Sequence, residues 1–72
     1  MASKPRYMIV QELAVGMWFD KFNITADTEA EALSKAKRWA RYHGASSYSV
    51  KVRLSTANDE RFGLHDEWIP KC

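Results

Sequence analysis

Eleven Lys and Arg against nine Asp and Glu give a 72-residue chain a net charge of +2, too slight by itself to argue for a nucleic-acid partner. Cys72 is the only cysteine, which excludes an intramolecular disulfide and a cysteine-rich zinc cluster and fits a reducing compartment. No apolar run approaches a membrane span, and none follows the charges of MASKPRY as in a signal peptide, so a cytoplasmic protein is expected.

Residues 1–5 end in proline and are expected to fray. Residues 6–14 (RYMIVQELA) read as a first strand, with Tyr7, Met8, Ile9 and Val10 as strand formers, and Gly16 marks a turn. Residues 17–26 (MWFDKFNITA) read as a second strand that pairs with the first as a hairpin. Period-two alternation places Trp18, Phe22 and Ile24 on the core face and leaves Met17 and Phe19 outside, near the turn.

Residues 28–44 (TEAEALSKAKRWARYHG) carry every signal of a helix. Thr28 and Glu31 form the S/T-x-x-E capping pattern, and Gly44 suits the left-handed residue at a helix end. Glu29 and Glu31 lie in the first turn and Lys37, Arg38 and Arg41 in the second half, which complements the helix dipole. Ala32, Leu33, Ala36, Trp39, Ala40 and His43 form one apolar stripe, small enough for close approach to a sheet with Trp39 as the large anchor.

After a short linker at 45–47, residues 48–55 (YSVKVRLS) alternate as a half-buried strand. Tyr48, Val50, Val52 and Leu54 point inward, and Ser49, Lys51, Arg53 and Ser55 outward. A polar turn at 56–60 precedes a fourth strand at 61–65 (RFGLH), with Phe62 and Leu64 inward and Gly63 at a bulge. Residues 67–69 give a short fifth strand that Pro70 stops. The expected fold is a single α+β domain spanning 1–72: an antiparallel sheet of four or five strands with one helix across one face, in the order β-β-α-β-β.

The inventory for catalysis is thin. His43 suits a helix C-terminus, and His65-Asp66 is a turn pair with no placed nucleophile. Asp59-Glu60 and Asp66-Glu67 lack the ligand count of a calcium loop, and three scattered glycines make no phosphate loop. No enzyme, metal or cofactor is expected. The cations say more. Lys35, Lys37, Arg38 and Arg41 fall on adjacent helical turns with Tyr42 beside them, a cluster that can meet phosphates or an acidic protein surface. Lys51 and Arg53 form a second group on the outer sheet face, so a partner touching both groups must reach around an edge. Phe19 is a candidate exposed aromatic, whereas Trp68 reads better as core.

Leu33-Ser34-Lys35-Ala36-Lys37-Arg38-Trp39-Ala40 resembles the L-S-x-A-K-R-x-A helix of small phage-encoded anti-CRISPR proteins that inhibit type I-F systems. Tyr7-Met8-Ile9, Ile24-Thr25-Ala26, Trp68-Ile69 and Cys72 extend the similarity along most of the chain. The resemblance implies binding to the Cas7-type backbone subunits of a crRNA-guided surveillance complex and obstruction of guide–target hybridisation. It also implies that Lys37 and Arg38 hold duplex DNA nonspecifically on the inhibited complex; Lys35 and Arg41 join them by helix geometry. Two rival readings stand beside this one. A stand-alone nucleic-acid module would bind duplex phosphate through the helix, and a homodimeric phage accessory protein would bury the aromatic outer face.

Overall fold

The computed structural model describes residues 4–69. Strands β1 (Arg6–Ala14), β2 (Met17–Thr25) and β3 (Val50–Leu54) and helix α1 (Glu29–Tyr42) form an α+β unit, with 3-10 turns at Ser47–Ser49, Ala57–Phe62 and Asp66–Trp68. The sheet has three strands in the order β2-β1-β3, and both pairings are antiparallel. The hairpin β1–β2 and the helix stand where the sequence places them.

Local chemistry accounts for α1. The Thr28 hydroxyl accepts from the Glu31 amide at 3.1 Å, and the Glu31 carboxylate accepts from the Asp27 amide at 3.2 Å. That carboxylate reaches one residue beyond the cap of a standard capping box. At the other end the Ala45 amide donates to the Ala40 carbonyl at 2.8 Å and the Gly44 amide to the Arg41 carbonyl at 3.1 Å. These are the two bonds of a Schellman motif, and Gly44, at φ 76°, supplies the left-handed residue between them.

Ala32, Ala36, Trp39 and Ala40 of α1 pack against Tyr7 and Ile9 of β1, Phe22 and Ile24 of β2 and Val50 of β3, with Ala26 and Ile69 closing the cluster. Alanines at the interface bring the helix close to the sheet, so Trp39 and Phe22, in edge-to-face contact with centroids 5.3 Å apart, supply much of the buried bulk.

Trp18 departs from the expected alternation. Ile9 pairs with Phe22, but Val10 pairs with Asp20, which leaves Lys21 as an extra residue in β2. This bulge reverses the phase of the strand. Phe22 and Ile24 remain on the helix side, whereas Trp18, opposite Glu12, shares the other face with Val10 and Lys51. Phe19, opposite Gln11, therefore lies on the helix side of a hairpin that overhangs the helix, and it stays exposed with Leu13 and Met17.

The four- or five-strand sheet is the main correction. No fourth strand forms at 61–65. Thr56 donates both its amide (2.8 Å) and its hydroxyl (3.2 Å) to the Asp59 carboxylate, which starts the 3-10 turn that Phe62 ends. Only Leu64 bridges to the sheet, through a single parallel pairing with Asn23, and it is partly exposed. Nor do residues 67–69 extend. Asp66 instead accepts from the Thr25 amide at 2.9 Å and hydroxyl at 2.6 Å, which fastens the turn Asp66–Trp68 to the end of β2. In β3 the inward row is shorter than expected: Val50 is buried, but Tyr48 lies in the preceding 3-10 turn and is 90% exposed, and Leu54 is exposed. Pro70 and Cys72 lie outside the described residues.

The 3-10 turn Ala57–Phe62 instead covers the second face of the sheet, while Trp68 and Ile69 return to the helix side. Met8, fully buried, pairs with Asn23 on one side and Arg53 on the other. Both of those residues bind Asp59. The segment around Asp59 is thereby drawn over Met8, and the chain then meets the β2 edge only at Asn23.

Candidate partner-binding surface

The six cations singled out in the sequence divide into three groups. Lys37, Arg38 and Arg41 lie on the side of α1 turned away from the buried row Ala32, Ala36, Trp39 and Ala40, because steps of 100° per residue carry them to the opposite pole. Arg41 is exposed, and Lys37 and Arg38 are half-buried on its flanks. Lys35 takes a different part. Its ammonium donates to the Thr25 carbonyl at 2.7 Å and pairs with Glu31 at 3.8 Å, so it ties the helix to the end of β2.

Lys51 and Arg53 project from the other face of the sheet, as expected, but each has an internal partner. The Lys51 ammonium sits 4.3 Å from the centroid of the Trp18 ring. Arg53 makes a two-pronged contact with Asp59, Nη1 to Oδ2 at 2.7 Å and Nη2 to Oδ1 at 3.0 Å, and Nη2 also meets Asp20 at 3.0 Å. The hydrogen bonds to Asp59 chiefly hold the guanidinium pKa above its ordinary value, and Arg53 in turn, with the Thr56 amide, holds the Asp59 carboxyl well below the usual carboxylate range. Arg53 is thus a clasp joining β3, β2 and the 3-10 turn Ala57–Phe62. Of the three cations on the outward side of α1, Arg41 is the exposed one, Lys37 is half-buried beside it, and Arg38 is half-buried with its Nε enclosed.

A feature that sequence reasoning missed lies at the C-terminal end of the helix. Phe22, Trp39, Tyr42, His43 and Trp68, with Lys21 and Glu67, line a cleft of about 760 Å³. Trp68, expected in the core, is half exposed there. Its indole stacks on His65 with centroids 4.0 Å apart and meets the Phe22 ring edge-on at 4.9 Å. The His65 Nδ1 lies 3.5 Å from the Glu67 carboxylate without a hydrogen bond. Three of the lining groups, Lys21, Glu67 and Trp68, come from the β2 bulge and the last 3-10 turn, neither of which the residue pattern announces.

Among the described residues there is no group of three His, Cys, Asp or Glu placed to hold a metal ion, and no helix is long and apolar enough to cross a membrane. Compared with known proteins, the chain matches no family model, no curated protein and no solved structure.

Proposed function

We propose that this chain is a non-catalytic inhibitor that binds the Cas7-type backbone of a type I crRNA-guided surveillance complex and blocks target DNA hybridisation. One observation carries the reading: the segment that resembles the anti-CRISPR helix is the same segment that turns Lys37, Arg38 and Arg41 away from the core. A protein groove built to hold a phosphate backbone has room and potential for such a face, and nearby duplex phosphates would be recruited by the same charges. The sheet-face cations play a supporting part, since Arg53 is engaged with Asp59 and Asp20 and Lys51 with Trp18. The chain acts in the cytoplasm of the bacterial host.

The test is a gel shift of labelled target duplex with the chain alone, a purified type I surveillance complex alone, and the two mixed. The reading predicts no shift by the chain alone at physiological salt, a shift by the complex, and loss or alteration of that shift in the mixture. A shift by the chain alone that disappears with added salt would replace it with a free-standing DNA-binding module. An unchanged shift in the mixture refutes inhibition of that complex.

A further inference from the structure

The outer edge of β2 is a separate surface, which includes none of Lys37, Arg38 and Arg41 and does not depend on the inhibitor reading. We propose that residues 17–21 pair antiparallel with the same residues of a second copy of this chain, around a two-fold axis at Phe19, and join two sheets into one of six strands. The direction of the backbone identifies the open groups. The Ser55 amide donates to the Arg6 carbonyl at 2.9 Å, so the even-numbered residues of β1 face β3 and the odd-numbered ones face β2. Gln11 therefore directs its backbone groups to Phe19, whereas Trp18 and Asp20, opposite Glu12 and Val10, turn theirs outward. Asn23 and Thr25 also face outward on this edge, but Asn23 is bound by Gly63 and His65 and Thr25 by Asp66. That cover stops at Asn23, so the outward groups of Trp18 and Asp20 have no partner among the described residues.

Strand edges left open are ordinarily guarded by lysine, proline or a covering loop. The β3 edge carries Lys51 and Arg53, but residues 17–19 are Met-Trp-Phe on a hairpin that overhangs the helix. Charge selects a second copy as the occupant. With the axis at Phe19, Trp18 and the second copy's Asp20 lie opposite each other and exchange both backbone bonds. The Lys51 ammonium rests on the Trp18 ring, on the sheet face that also carries Asp20, so each Asp20 carboxylate meets the second copy's ammonium, twice by symmetry. On the helix side exposed Phe19 meets its own counterpart in the closer, non-hydrogen-bonded kind of pair, with exposed Met17 beside it. An axis at Asp20 would oppose two carboxylates, and one at Trp18 would bring two Lys51 ammonium groups together. The pairing ends short of Asn23, where the edge is already held. One short edge makes a small interface, so dissociation in the micromolar range or weaker is expected.

Sedimentation velocity from micromolar to millimolar chain concentration should show a monomer giving way to a dimer. Over the same range, hydrogen exchange should slow at the Trp18 and Asp20 amides and stay constant at the Val52 amide, which faces outward from the β3 edge. Phe19→Asp opposes two carboxylates on the axis and should raise the dissociation constant about tenfold or more. Met17→Lys, at an exposed edge position, should weaken the dimer in the same direction and serves where the aspartate disturbs the hairpin. Leu54→Lys, at the exposed end of β3, should leave the dimer intact. The proposal is overturned if the chain stays monomeric up to millimolar concentration. It is also overturned if a dimer forms while the Trp18 and Asp20 amides exchange at an unchanged rate, which would place the contact elsewhere, or if Leu54→Lys disrupts the dimer and folded Phe19→Asp and Met17→Lys do not.

Discussion

Replacing Asn23 with Ala should cost more than any surface substitution in this chain. Asn23 lies in β2, is 1% exposed, and reaches three partners with its side chain. Its Nδ2 donates to the Asp59 carbonyl at 2.7 Å and the Gly63 carbonyl at 3.0 Å, and its Oδ1 accepts from the Ser55 hydroxyl at 2.5 Å. Each such bond contributes roughly 0.5–1.5 kcal/mol net, and a buried acceptor left without a donor costs about 1–3 kcal/mol. The Gly63 carbonyl keeps the Asn23 backbone amide at 3.0 Å, the Asp59 carbonyl lies within a 3-10 turn, and Ser55 is half-buried, so the cost is chiefly that of the three lost hydrogen bonds. The total comes to about 2–4 kcal/mol. A domain of this length holds only about 4–11 kcal/mol in all, and each kcal/mol lowers Tm by about 4–8 °C. Urea and thermal melts followed by circular dichroism should therefore place Asn23→Ala more than ~10 °C below wild type. Hydrogen exchange should show early loss of protection at the His65 amide, which donates to the Asn23 carbonyl. A variant within ~0.5 kcal/mol of wild type would refute the idea that this side chain holds the C-terminal segment on the sheet.

Further predictions concern the acid limb, the helix end and the Lys35 tie. Because the Asp59 pKa is depressed in the folded state, its contribution is complete above the unfolded value near ~3.9 and is lost as pH falls through the folded one; Asp59→Asn should flatten the fall in Tm between about pH 5 and pH 2. A Tm–pH curve parallel to wild type would contradict the clasp. Gly44→Ala forces a Cβ into the left-handed region and should destabilise by about 1–2 kcal/mol in a urea melt, with nothing nearby to clash. Lys35→Met should lower Tm with no effect on partner binding, whereas Lys37→Met should do the reverse; equal effects on both quantities would mean that the helix faces are misassigned.

The helix was legible because its determinants are local. Thr28, Glu31 and Gly44 act within a turn of themselves, and the 100° period sorts Ala36 from Arg41 without knowledge of the sheet. The hairpin was legible for the same reason. What failed was non-local. Trp18 changes face because Lys21 is accommodated as a bulge against β1, and alternation within one strand cannot reveal an extra residue relative to its partner. The 61–65 segment has strand-like composition, but Thr56 binds Asp59, and Asn23 captures the carbonyls of Asp59 and Gly63 from nearly forty residues away. Arg53 looked like a solvent-facing strand cation until Asp20 and Asp59 were brought to it from two other elements. The angular position of Lys37, Arg38 and Arg41 on α1 could be read early because it depends on the helix period alone.

The most direct measurement of the central claim is the affinity of an immobilised type I surveillance complex for the wild-type chain and for Lys37→Glu/Arg38→Glu, with melting curves run in parallel. The account predicts tight, salt-sensitive binding by the wild type and loss of binding by a double variant whose melting curve shows that it is still folded at the assay temperature. Equal affinity for both chains would contradict it, because the outward face of α1 would then have no part in recognition.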